Sequence, residues 1–128
     1  MLEVGLSKEL SEEVTKEKLA SARGSGALDV YATPEMITMM EKASLLAVSN
    51  ELSEGDTTVG TAVNIKHTSP TVLGSTVRAT ARLIEIDGRR LLFEVKAFDE
   101  AGEIGSGTHE RFIVTIDKFL KKAESKKT

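Results

Sequence analysis

The sequence predicts an α+β fold in which one antiparallel sheet wraps a single long helix. Three observations carry this. Only the stretch from Tyr31 to about Asn50 combines helical spacing with a helix start signal. The later stretches alternate with a period of two, and the turns between them are short enough for hairpins. At 128 residues the chain fits one domain, large enough to bury a core without covalent staples.

Residues 4–14, with Leu6, Leu10 and Val14 apolar, read as a first strand, although a spacing of four also fits a helix. Thr15 is placed to cap a short helical turn through Leu19. The segment ARGSGALD, with Gly24 and Gly26, then forms a flexible connection able to act as a lid. In the main helix Thr33 suits the N-cap and Pro34 the first helical position, where a missing N–H costs nothing. Met36, Met40, Ala43 and Ala47 mark the core face, and Glu35, Thr38, Lys42 and Ser49 another. Glu41 breaks the pattern, because its helical neighbours Ile37, Leu45 and Val48 are apolar.

After a turn at Gly55, TTVGTAVNIKHTSP predicts a strand with Val59, Thr61, Val63, Ile65 and His67 facing the core. Asp87-Gly88 predicts a hairpin between STVRATARLIEI and RLLFEVKAF, and DEAG a second turn into EIGSGTHERFIVTI. In this last strand Phe112, Val114 and Ile116 alternate against Arg111, Ile113 and Thr115. The order is strand, helix, then four strands, with no internal repeat.

Composition narrows the function. Without cysteine there is no disulfide, thiolate metal site or cysteine nucleophile, which suits a reducing compartment. A net charge of −3, few aromatics and no Trp lack the basic footprint and stacking platforms of a nucleic-acid binder. The opening residues show no basic region before an apolar run, and no stretch is apolar enough to cross a bilayer. The expectation is a soluble, cytoplasmic chain with no nucleic-acid or membrane partner. The lysine-rich end, KFLKKAESKKT, reads as a solvated helix end.

The chain contains no nucleophile elbow, no complete dinucleotide fingerprint, no phosphate-cradling loop and no histidine pair at metal-ligand spacing. Its two histidines, His67 and His109, fall on separate strands, so no metal or other cofactor is expected. A group of Thr33, Glu41 and His67 remains. Singly they read as a cap, a boundary glutamate and a histidine closing a strand. Together they can line one pocket, because Thr33 and Glu41 lie about two helical turns apart and His67 is in phase with the core. A carboxylate among apolar groups can act as base or nucleophile, and a histidine beside it can donate to a leaving group.

The blocks VYATPEMITMMEKAS, TTVGTAVNIKHTSP, DGRRLLFEVKAFD and EIGSGTHERFIV resemble the hotdog-fold thioesterases, specifically the fluoroacetyl-coenzyme A thioesterase-like family. The resemblance implies a five-stranded antiparallel sheet around one long helix over residues 1–119, with 120–128 a charged C-terminal tail. It assigns the catalytic group to Thr33, Glu41 and His67, and associates Gly60 and Arg111 with the active site. It also implies a homodimer, with sheets joined edge to edge and active sites between protomers. The implied substrate is an acyl-coenzyme A thioester: Glu41 attacks the carbonyl or activates water, Thr33 orients that carboxylate, and His67 assists departure of the thiolate. Gly60 N–H and the helix start are candidates for the oxyanion. Arg111, Arg89 and Arg90 reach either coenzyme A phosphates or solvent.

The family's halogen-selective member carries lid aromatics in the segment before the helix, and SARGSGALD has none. Tyr31 is the one aromatic nearby and a substrate-binding candidate, which points to some other short or modified acyl group. Two alternatives stand: a non-catalytic hotdog protein that binds an acyl thioester or small ligand, and a hydratase. The hydratase would need a paired Asp and His that this chain lacks.

Overall fold

The computed structural model describes residues 1–127; Thr128, the end of the charged tail, lies outside them. The chain runs through β1 (Ser7–Glu13), a 3-10 turn (Lys16–Lys18), α1 (Ala20–Arg23) and α2 (Thr33–Val48). A second 3-10 turn (Ser49–Glu51) leads to β2 (Asp56–His67), β3 (Thr76–Asp87), β4 (Arg90–Asp99), β5 (Gly102–Thr115) and α3 (Ile116–Ser125). The strands form one sheet in the order β1-β3-β4-β5-β2, every neighbouring pair antiparallel. The chain thus crosses from one edge to the other through α2 and returns to the interior strands through residues 68–75.

Alternation explains the buried face. Leu91, Phe93, Val95 and Ala97 of β4 are fully buried beneath α2, with Val77, Ala81 and Leu83 of β3 beside them. From the helix Met36, Met40, Ala43 and Val48 complete the core. Each Val, Leu, Met or Phe among them contributes roughly 1.5–3 kcal/mol when withdrawn from water, and each Ala less. The β3–β4 hairpin closes tightly: Asp87 pairs with Arg90 across Gly88-Arg89, and Gly88 takes a φ of +61°, which glycine adopts without steric cost.

Three expectations change. Thr33 is the first helical residue rather than the N-cap, a position taken by Ala32, because its hydroxyl is committed to a partner outside the helix. Ile116 opens α3 instead of extending β5. The inward set of β2 also shifts, because Thr61 has no cross-strand partner: Gly60 opposes Arg111 and Ala62 opposes Glu110, which makes Thr61 a β-bulge. Thr61 turns its hydroxyl onto the Glu110 carboxylate at 2.6 Å. One extra residue inverts the phase. Thr58 and Gly60 face inward before the bulge and Val63, Ile65 and His67 after it, whereas Val59 and Thr61 do not.

Two β5 glycines let β2 and the helix come close. A Cβ at Gly105 would stand 2.6 Å from Met36 Sδ, and one at Gly107 2.0 Å from the Asn64 carbonyl oxygen. Neither gap fits a methyl group. Gly107→Ala is expected to lower stability by about 1–3 kcal/mol through overpacking, read as a lower urea midpoint at unchanged m-value. An unchanged midpoint would contradict this packing.

Candidate active site

The N-terminus of α2 and the end of β2 meet in one place. Thr33 Oγ1 and His67 Nδ1 stand 2.7 Å apart, across 34 residues of sequence. They open onto a cavity of about 280 Å³ lined also by Ala20, Ser25, Tyr31 and Ser69. His67 Nε2 is buried and has no hydrogen-bond partner among the described residues. Burial draws the ring's pKa below the ordinary histidine value, partly offset by a backbone hydrogen bond at Ser69. A ligand, a water or a reacting atom in the cavity can supply the partner this nitrogen lacks.

Tyr31 is 1% exposed, and its hydroxyl donates to Glu12 Oε2 at 2.6 Å, away from the histidine. Burial and that carboxylate push the phenol well above its usual pKa. Tyr31 is thus a fixed part of the cavity wall.

Glu41 lies elsewhere. Its Oε2 is 3.2 Å from where a side chain at Gly60 would begin, beside His109 Cε1 at 3.1 Å and Arg111 Nη1 at 3.5 Å. The surroundings expected from Ile37, Leu45 and Val48 are therefore replaced by a basic, polar niche. Helical spacing fixes neighbours on the helix but says nothing of the strand opposite it. Arg111, 7% exposed, donates from Nε to Thr58 Oγ1 at 2.8 Å and from Nη2 to the Thr58 carbonyl at 2.9 Å. Burial pulls its pKa down and Glu41 pushes it up.

The three residues expected as one group therefore form two centres. Thr33 joins His67, while Glu41 joins Gly60, His109 and Arg111. Eight helical residues separate Thr33 from Glu41 by roughly 12 Å along the axis, and seven strand residues place Gly60 roughly 20 Å from His67. Thr33 does not orient Glu41 within one protomer. His109 is the site residue that sequence reasoning missed, being weighed only as a metal ligand. Its one signal was the T-H-E-R run, which sets His109 and Arg111 two apart on one strand face. Among the described residues no group of three or more His, Cys, Asp or Glu is placed to hold a metal ion.

A five-stranded antiparallel sheet closed over one helix is the hotdog fold. A hot-dog-like protein from Thermanaerovibrio acidaminovorans, 23% identical, shares it with a TM-score of 0.89 over 98% of this chain and 93% of that one. The family model described as fluoroacetyl-CoA-specific thioesterase matches residues 14–117, and the chain belongs to that family. A fluoroacetyl-CoA thioesterase of Streptantibioticus cattleyicolor is 43% identical over 98 residues, 77% of this chain and 70% of its own length. The fluoroacetyl-CoA thioesterase FlK, solved as a threonine-to-serine mutant in complex with acetyl-CoA, superposes with a TM-score of 0.92 at 34% identity. That match covers 99% of this chain and 100% of the other.

Both histidines are held below their ordinary value of 6.5, chiefly by burial. Between that value and the lowered folded values, the unfolded chain binds protons that the folded chain does not. Their contribution to stability is therefore complete above pH 6.5 and lost as pH falls through the folded values. The urea midpoint should fall on acidification below about pH 6.5, and less steeply in His67→Gln. An identical decline in the variant would contradict the burial argument.

Proposed function

We propose that two protomers build each active site, in which Glu41 of one and the Thr33–His67 pair of the other hydrolyse a short or modified acyl-coenzyme A thioester. Membership of its family makes the chain an acyl-CoA thioesterase, a thioester hydrolase. The shared site is supported above all by the open edge of β2 lying between the two centres. β2 is the sheet's last strand, and residues 60–64 along it are exposed, with Val63 at 45%. A twelve-residue unpaired edge is a template for another strand.

Register follows from the pleat. Antiparallel pairing across a two-fold axis at Asn64 sets Ala62 against the partner subunit's Lys66 and Val63 against the partner's Ile65, so inward residues meet inward residues. With Thr61 looped out, Gly60 then opposes the partner's His67. The bulge corrects the parity that would otherwise place these two on opposite faces.

In that arrangement the thioester carbonyl lies over Gly60, where the missing Cβ leaves room. Glu41 attacks the carbonyl, forming an anhydride that water then hydrolyses, or activates the water that attacks it, and the tetrahedral oxyanion forms near Arg111. Thr33 holds the His67 ring by donating to Nδ1, which leaves Nε2–H to hydrogen-bond the departing thiolate; the thiolate leaves as the anion. The cavity beneath residues 20–30 takes the acyl group. Its volume of about 280 Å³ suits a short chain, and Ser25 and Ser69 favour a modified one. The cytoplasm, where coenzyme A thioesters are made and used, is the proposed location.

The test is free-thiol release from a panel of short acyl-coenzyme A substrates, including acetyl and fluoroacetyl. Glu41→Gln and His67→Ala, each confirmed folded, should lose roughly 100-fold or more in kcat/KM on the best substrate. Absence of wild-type turnover on every thioester, alongside measurable ligand binding, would favour a binding protein instead.

A further inference from the structure

His109 is the more deeply buried histidine, 1% exposed, and both ring nitrogens are engaged. Nδ1 lies 2.8 Å from the Ala62 carbonyl oxygen, and Nε2 lies 3.1 Å from Arg111 Nη1. A carbonyl only accepts and a guanidinium only donates. Together the two contacts fix one tautomer: Nδ1 carries the proton and Nε2 offers its lone pair. Burial holds the ring's pKa below its ordinary value, reinforced by the Arg111 charge and opposed by the Ala62 carbonyl and the Glu41 and Glu110 carboxylates.

Arg111 needs this third contact. Its bonds from Nε and Nη2 both run to Thr58, and two bonds to one residue make a hinge about which Nη1 can swing. His109 stops the swing from a different strand. One hydrogen remains on Nη1, the nitrogen that reaches the niche over Gly60 beside Glu41. Ala62, whose carbonyl holds the His109 ring, stands next to the bulged Thr61, so the irregularity in β2 and the aim of Arg111 are linked.

We propose that His109 is a positioning residue for the hydrolysis: its Nε2 lone pair holds Arg111 Nη1 so that the remaining N–H faces the acyl carbonyl oxygen beside Glu41. This rests on the thioesterase reading of the Gly60 niche.

A double-mutant cycle tests it. His109→Phe should lower kcat by roughly tenfold to a hundredfold with a much smaller change in KM, and by about twofold or less when Arg111 is already Leu. His109→Gln, whose side-chain carbonyl can accept from Nη1, should recover part of the loss. Equal losses in both backgrounds, or no loss, would overturn the proposal. Nitrogen NMR of the wild-type ring needs no variant to fold. It should report the Nδ1–H tautomer at about pH 8, and an Nε2–H tautomer would overturn the proposal. Wild-type protein inactive on all thioesters would instead remove the hydrolysis reading, leaving the NMR result to decide whether His109 holds Arg111.

Discussion

A single sixteen-residue helix has to cover the concave face of a five-stranded sheet, and the rest of the molecule follows from that shortage. At 1.5 Å per residue α2 spans roughly 24 Å, and it lies toward the β1 side of the sheet rather than over β5 and β2. It packs on β3, β1 and β4, with the large apolar side chains coming from β3 and β4 and Leu10 from β1. The cross-strand pairs between β4 and β5 show where the cover ends. Leu91 opposes Arg111, Phe93 opposes His109, Val95 opposes Gly107 and Ala97 opposes Gly105. The inner face turns from apolar to polar or side-chain-free within one strand spacing.

That boundary is where chemistry becomes affordable. A buried guanidinium needs partners, and Arg111 places three of its five donors on Thr58 and His109. Glycine at position 60 leaves an unfilled volume among Glu41, His109 and Arg111 that a side chain would close. The bulge at Thr61 serves both centres, since it sets the phase that turns His67 inward and stands beside the carbonyl that orients His109. Thr33 gives up the ordinary capping role of a helix-start hydroxyl to hold His67.

Much of the fold was legible in local sequence because its signals are local. Pro34 beside Thr33, the Met36–Met40–Ala43 spacing, Asp87-Gly88 and the alternation through β4 each report on a few neighbouring residues, and the structure retains them. The bulge was not legible, since Thr61 is a good strand residue and only the β5 register reveals that it lacks a partner. The site divided along the same line. The Thr33–His67 contact follows from a helix start facing a strand end. The environment of Glu41 depends on β5, some 70 residues later in the chain, and no helical spacing encodes it. His109 was passed over because the T-H-E-R run draws attention to Arg111, and only the β2–β5 register shows the ring meeting both Arg111 and the Ala62 carbonyl.

If the two centres of one chain act across a pair of chains, mixing inactive subunits restores activity. Glu41→Gln and His67→Ala protomers, unfolded together and refolded as a mixture, would assort at random. Each mixed dimer would then hold one site with Glu41 and His67 both intact. The mixture should recover roughly a quarter of wild-type thiol release, with neither variant active alone. A refolded mixture containing mixed dimers but no activity would place Glu41 and His67 in the same protomer's site and contradict the shared arrangement.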